Sequence, residues 1–506
     1  MLLPTIDKTS DVPAYRQICD WVVQRVEDGT LRPGDRLPPT RTFARTLGVH
    51  RSTVLRAYGE LWALGLLESR QGSYSTIRRA RLEANLRPRG GGRSDLQRST
   101  SRIDWATFAR SSRRGALEDS RSPGRDRVPR RGDVDFERLA VDPNLTPLED
   151  LRSCFRMALA REGRAVLDYG DPRGHLPLRV AIARRMSAHG VAVSADEILV
   201  TNGAQQGLDL VLRFVARPGD AVAIESPTYG MALSLFRLHE LVLHDIPMRS
   251  DGMDLDALEA LLERRQPILV YTIPNFHNPT GITTSQVHRG RLLALCEKHH
   301  VPIVEDGFDE EMKYFGMAVL PIKSMDSQGV VLYLGTFSKV VSPGVRIGWI
   351  AAHREAIDRL LVIQRASSLA GNTVAQAALA RFCGTGLYEA YLRRIHKVYR
   401  KRMQLLLQGL RDHLPNSVEW TQPTGGYTLW LRVPGAAADE AVLRERFDRQ
   451  GVRVTAGSLF FARPQADAHF RISIACADET EILEGCRRLG RALTRYLPDE
   501  KRSSDR

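Results

Sequence analysis

Between residues 78 and 138 the chain carries 17 arginines against nine acidic residues. Gly90-Gly91-Gly92, Ser99-Thr100-Ser101, Ser111-Ser112 and Arg121-Ser122-Pro123-Gly124 lie among them, and no apolar period is sustained. Such a stretch cannot bury enough apolar surface to offset the entropy of ordering its backbone. The chain therefore cannot fold as one body, and folded parts are expected on either side of a flexible basic linker. The division predicts a first domain over 11–77, a linker over 78–138 and a second domain over 139–496, where length alone predicts about three domains for 506 residues. Of the formal net charge of +14, most sits in the linker, and the flanks are nearly balanced. Two readings of the linker stand side by side: a solvated spacer, or an arm that meets DNA phosphates without regard to sequence.

Hydrophobic residues make up 43% of the chain and charged residues 26%, which excludes wholesale disorder. No run approaches the roughly 18 consecutive apolar residues of a membrane helix. The opening Met1–Lys8 has no basic flank followed by an apolar core, so no signal peptide is expected. The six cysteines are scattered without a CxxC pair, so neither a metal site nor a disulfide framework is expected. The expectation is a cytoplasmic protein with no membrane partner.

In the first domain Ile18, Trp21, Val22 and Val26 recur at helical spacing over 13–28. A turn-rich connector, 31–39, precedes two helices near 40–47 and 51–64, joined by Gly48-Val49-His50. A short hairpin follows over 66–74, turning at Gln71-Gly72. Helix, helix, tight turn, helix and hairpin predict a mostly α winged helix-turn-helix, whose third helix would enter the major groove. The stretch GDRLPPTRTFARTLGVHRSTVLRAYGELWALGLLESRQGS resembles the DNA-binding domain of GntR-type bacterial regulators. The resemblance places Arg41, Arg51, Ser52, Thr53, Gln71 and Gly72 on DNA-contacting positions. Ser73-Tyr74 departs from it where a second wing glycine is usual.

From about residue 140, strand-length apolar runs alternate with helical patterns. The runs Ile198–Thr201, Ala221–Ile224, Ile268–Tyr271, Pro302–Glu305 and Val330–Leu334 predict an α/β fold around a mostly parallel sheet, with chemistry at the strand ends. Asn202-Gly203-Ala204-Gln205 opens a helix with small residues, which suits a phosphate. Asp306 ends a strand where a buried carboxylate needs a cationic partner. Lys339 follows another strand within Thr336-Phe337-Ser338-Lys339, with Arg346 close behind, and this suits a Schiff base beside a phosphate dianion.

Those parts, with YGDPRG, VTNGAQQGLDL, ESPTYG, PNFHNPTG, VEDGFDEE, GTFSKVVSPGVRIGW, PTGGYTLWL and RISIA in order, resemble the fold type I aminotransferases that use pyridoxal 5′-phosphate. The resemblance implies that Lys339 is the catalytic aldimine lysine and that Asp306 partners the pyridine nitrogen. It places Asn278 on the 3′-oxygen and Tyr229 on the ring face. Ala204, Gln205, Ser338 and Arg346 fall on the phosphate, together with Tyr169 of the partner subunit in a homodimer. It gives Arg471 the carboxylate of an effector or substrate. Phe308 departs from it: a tyrosine is usual two or three residues after the aspartate, and Phe308 cannot donate to the coenzyme's oxygen.

A GntR-type winged helix, a linker and an aminotransferase-like domain in one chain resemble the MocR/GabR regulators. The resemblance implies a coenzyme-dependent transcription regulator that binds a double-stranded DNA operator and senses an amino acid, an amine or the coenzyme, with no turnover expected. Two alternatives stay open: a working class I/II aminotransferase with a secondary DNA-binding domain, and a DNA-binding protein whose coenzyme site is vestigial.

Overall fold

The structure, a computed structural model, describes residues 6–7, 10, 12–63, 65–69, 74–78, 130, 132–436 and 439–494. They form two compact units, drawn from residues 1–102 and 103–506. Gln71, Gly72 and nearly all of the expected linker lie outside the described residues.

The first unit has helices Ala14–Glu27, Thr40–Leu47 and Arg51–Ala63, then strands Leu67–Ser69 and Ser75–Ile77. Pro13 and Pro39 sit just before the first two helices, where a missing N–H costs nothing. Gly48 ends the second in the left-handed conformation (φ 62°) and turns the chain towards the third. Ile18, Val22, Phe43, Val54, Ala57 and Leu61 are wholly buried against Leu37 and Ile77. The two strands pair antiparallel, Leu67 opposite Ile77. The connector that the sequence marks only as turns also lies along this hairpin, with the Leu37 amide donating to Ser75 O at 2.9 Å and the Ile77 amide to Asp35 O at 2.8 Å. A winged helix-turn-helix results.

The larger unit is built on an eight-stranded sheet. Its order is Ile198–Thr201, Gly348–Ala351, Val331–Thr336, Ile303–Asp306, Leu269–Thr272, Ala221–Ser226, Val242–Arg249 and Gly252–Met253. The ladders among 331–336, 303–306, 269–272, 221–226 and 242–249 are parallel. Gly348–Ala351 runs antiparallel to both neighbours, so Ile198–Thr201 points the same way as the parallel set. Thr201, Ser226, Thr272, Asp306 and Thr336 therefore end at one edge. Apolar side chains from both sheet faces form separate clusters, one around Leu208, Phe236 and Leu360, another around Leu258, Leu292 and Cys296. Near-continuous burial along each strand fits a sheet covered on both sides. A second, antiparallel sheet of Glu419–Trp420, Thr428–Val433, Ala468–Ser473 and Thr455–Ala456 carries Arg471.

The expected linker boundary at 138 needs correction. Val134–Asp135 pairs in parallel with Val452–Arg453, and Phe136 is wholly buried in the large unit's core. Two apolar residues set among arginines carry no period, and their partners lie more than 300 residues away, so composition alone assigned them to the linker.

Candidate functional site

At the carboxyl edge of the large sheet one cavity is lined by Ala204, Gln205, Leu208, Tyr229, Ile273, Asn278, Asp306, Phe308, Thr336, Ser338, Lys339, Pro343 and Arg346. Every residue expected to hold the coenzyme from within this chain lines it. Tyr169 does not. It stands 80% exposed on the surface.

Each side chain is set by its element. Gly203 precedes helix Ala204–Val215 with φ 93°, and a Cβ there would meet Arg346 Nη2 at 2.8 Å. Only glycine lets that guanidinium lie across the helix start, where Nη2 donates to Asn202 O at 2.8 Å. The free amides at that helix N-terminus and the adjoining guanidinium together favour a dianion. The buried Ser338 hydroxyl lies on the same cavity and has no hydrogen-bond partner.

Asp306 is the last residue of its strand and is almost fully buried. The Tyr271 hydroxyl donates to Oδ2 at 2.8 Å, and Oδ1 has no partner. Burial pushes its pKa up to about 6, against the opposing pull of the Tyr271 bond. Lys339 is half-buried, and Nζ donates to Leu139 O at 2.8 Å. Burial lowers its pKa to about 8, with Asp309 pulling the other way, so more free amine is present near neutral pH. Arg471 is buried too: Nη2 donates to Glu137 O at 2.8 Å and to Thr455 Oγ1 at 3.0 Å, and Nη1 reaches Asn278 Oδ1 at 3.3 Å. Its Nε has no partner. Burial lowers even this guanidinium to about 10. Arg471, Lys339 and Tyr229 also line an adjoining, wider cavity of about 650 Å³ that reaches Arg138, Arg237 and Phe460.

Among the residues that line these two cavities, three buried polar atoms thus lack partners: Asp306 Oδ1, Ser338 Oγ and Arg471 Nε. A buried polar group left unpaired costs about 1–3 kcal/mol, so a ligand that satisfies them is favoured. A pyridinium N–H answers the first, a phosphate the second and a carboxylate the third. The donor set fits pyridoxal phosphate. Phe308 lines the cavity with no hydroxyl, as the sequence implies.

Sequence reasoning missed Tyr271, Thr455, Asp309 and the segment Glu137–Leu139. Asp309 is wholly buried with neither oxygen partnered, and burial holds its carboxyl well above the usual range. Tyr271 was detectable as a hydroxyl-bearing aromatic at the end of an apolar run beside the strand that ends in Asp306.

In the small unit Arg41, Arg51 and Ser52 are exposed at the starts of the second and third helices, and Thr53 is partly exposed. The His50 ring bonds Ser52 Oγ at 2.6 Å, while the Thr53 amide donates to His50 O at 3.0 Å. Their exposure leaves these side chains available to DNA.

Comparison with known proteins agrees with both units. Residues 140–489 match the family model "Aminotransferase class I and II", and residues 14–77 match "Bacterial regulatory proteins, gntR family". The chain is 30% identical to the probable rhizopine catabolism regulatory protein MocR of Rhizobium meliloti, over 92% of this chain and 90% of that one. It is 35% identical to aromatic-amino-acid aminotransferase 1 of Thermococcus litoralis, over 69% of this chain and 85% of that one. Among solved structures, the multiple substrate aminotransferase of Thermococcus profundus superposes with a TM-score of 0.71 at 31% identity, covering 78% of this chain and 99% of that one.

Proposed function

We propose that this chain, which belongs to the class I and II aminotransferase family and carries a gntR-type regulator domain ahead of it as MocR does, senses a carboxylated amine at its coenzyme cavity and adjusts its grip on DNA accordingly. The observation that carries the reading is a cavity lined by Lys339 and Asp306, with Arg471 on the adjoining one, in the same chain as a helix whose first residues, Arg51 and Ser52, are exposed.

Pyridoxal phosphate supplies an aldehyde that captures primary amines and a ring that draws electrons from the captured carbon. Lys339 would hold that aldehyde through Nζ. Asp306 keeps a proton at the ring nitrogen with Oδ1, while the Tyr271 hydroxyl fixes its other oxygen. Tyr229 would lie against the ring, and Asn278 would bond the 3′-oxygen without help from Phe308. Ala204, Gln205, Ser338 and Arg346 hold the phosphate, completed by Tyr169 of the partner subunit. Arg471 forks the carboxylate of the incoming amine. In the small unit Arg41, Arg51, Ser52 and Thr53 meet the duplex, with Gln71 and Gly72 at the wing tip. A two-fold dimer of such chains, acting in the cytoplasm, reads paired half-sites.

The test titrates the full-length, coenzyme-loaded protein onto DNA from upstream of its own gene, with and without single amino acids that change the coenzyme spectrum. An amino acid that alters the spectrum should alter DNA affinity. Equal affinity with every spectrally active amino acid would overturn the sensing reading.

A second reading, a working aminotransferase, is favoured by the unbroken set Lys339, Asp306, Asn278 and Arg471. Multiple turnover from an amino acid to a keto acid would establish it.

A further inference from the structure

We propose that residues Glu137–Ala140 form a strap whose hold on the large unit is exchanged for ligand, so that the point where the linker begins reports occupancy of the site. The proposal rests on the functional reading above and names how that site is coupled to the rest of the chain.

The strap crosses the site by main-chain carbonyls. Lys339 Nζ donates to Leu139 O at 2.8 Å, and Arg471 Nη2 donates to Glu137 O at 2.8 Å. Thr455 Oγ1 adds a long bond to the same Glu137 carbonyl at 3.4 Å. The two side chains assigned to coenzyme and carboxylate thus both hold the strap. Neither contact survives ligation well. An amine that condenses with an aldehyde, with water leaving, keeps at most one N–H where the ammonium had three. A carboxylate offers a guanidinium two charged oxygens in matching geometry, where the Glu137 carbonyl offers one neutral oxygen. Arg471 Nε, buried and unpartnered, is the group that gains.

On its far side the strap is fixed at Asp142, whose carboxylate pairs with Arg402 at 2.7 Å and whose amide donates to the Tyr399 hydroxyl oxygen at 3.2 Å. On the side leading to the linker it is held by the pairing of Val134–Asp135 with Val452–Arg453, by the wholly buried Phe136, whose carbonyl accepts the Ser473 amide at 2.9 Å, and by Arg488 Nη1 on Gly132 O at 2.9 Å. The Glu137 carboxylate pairs with Arg453 at 2.7 Å, and Asp135 Oδ1 accepts the amides of Glu137 at 2.9 Å and Arg138 at 3.1 Å. Asp135 and Arg453 are themselves register partners in that pairing. A change at Glu137 therefore pulls on both members of the short ladder from which the chain departs towards the linker.

Hydrogen exchange followed by mass spectrometry on the full-length protein tests this. The reporters are the amides of Val134, which donates to Gly451 O at 2.8 Å, and of Phe136, which donates to Arg453 O at 2.9 Å, together with residues 137–141. In coenzyme-free protein, Arg471→Gln should speed exchange across 134–141 by about five-fold or more, with Arg471→Lys between it and the parent as a guard against misfolding. Pyridoxal phosphate added to the parent should do the same at 137–141. Added to Lys339→Ala it should produce no further rise. Glu137→Gln should confine the response to the strap and leave Val134 and Phe136 unmoved. Parent-like exchange in Arg471→Gln, or slower exchange at 137–141 on coenzyme binding, would overturn the proposal. A protein that takes up no coenzyme would sink the functional reading instead, while the coenzyme-free Arg471 variants still decide whether the strap is held as described.

Discussion

Asp306 makes the coenzyme-free protein less stable than it could be, and Asp306→Asn should show by how much. The carboxyl is almost fully buried, its pKa is raised from 3.8 to about 6, and one oxygen is unpartnered. In the unfolded chain the group loses its proton near its ordinary value, so between pH 4 and 6 the folded state binds more protons than the unfolded one. Stability then falls as pH rises through that window and is level above it. At 1.36 kcal/mol per unit, the penalty above pH 6 is about 3 kcal/mol. Asparagine keeps an acceptor for the Tyr271 hydroxyl, which now donates at 2.8 Å, and carries no charge. The coenzyme-free variant should be about 1–3 kcal/mol more stable than the parent at pH 7.5, with the gain shrinking towards zero near pH 4. It should also hold the coenzyme more weakly, since a neutral amide cannot keep a proton at the ring nitrogen. The assay is urea unfolding of the large unit, followed by tryptophan fluorescence between pH 4 and 8, with midpoints compared at a common slope. A variant no more stable than its parent at pH 7.5, or one with a gain independent of pH, would refute the reasoning.

Other outcomes follow from the same geometry. Lys339→Ala should leave the fold intact and abolish the covalent link to the coenzyme, so that borohydride fixes none; coenzyme trapped on another lysine would refute the assignment. Arg51→Ala, at the exposed start of the third helix, should weaken specific DNA binding by about 1–3 kcal/mol in a gel-shift titration and leave the coenzyme spectrum unchanged. Phe308→Tyr adds a donor at the cavity wall, so the pH at which the bound coenzyme's absorbance changes should fall below the parent's; an unchanged midpoint would mean that the new hydroxyl does not reach the ring oxygen. Replacing several linker arginines with glutamine should flatten the dependence of log affinity on log salt without changing discrimination against random DNA, and an unchanged slope would leave the linker a solvated spacer.

Long elements were legible because their signals are local. The helix expected over 51–64 is found at Arg51–Ala63, and the apolar run 302–305 lies within the buried strand Ile303–Asp306 and its flank. The cavity was legible because strand ends collect at one edge: Asp306 and Lys339 each follow an apolar run, and parallel pairing brings those runs together. What escaped has no local signal. The antiparallel entry of Gly348–Ala351 depends on which edges the neighbouring strands leave open. The Tyr271 bond to Asp306 spans two strands, and Glu137 meets Arg471 across more than 300 residues. Asp309 shows why identity is no guide to environment: an acidic residue in an acidic stretch reads as solvated, yet packing makes it wholly buried.

The pairing of Val134–Asp135 with Val452–Arg453 also sets an order of events during synthesis. The small unit closes its core from residues 18 to 77, so it can fold as soon as it leaves the ribosome. Residues 132–142 emerge next, but their partners Arg402, Arg453 and Arg471 come hundreds of residues later. Until then this segment has none of those partners to dock on. If the large unit governs DNA binding as proposed, the small unit is complete before the site that would govern it.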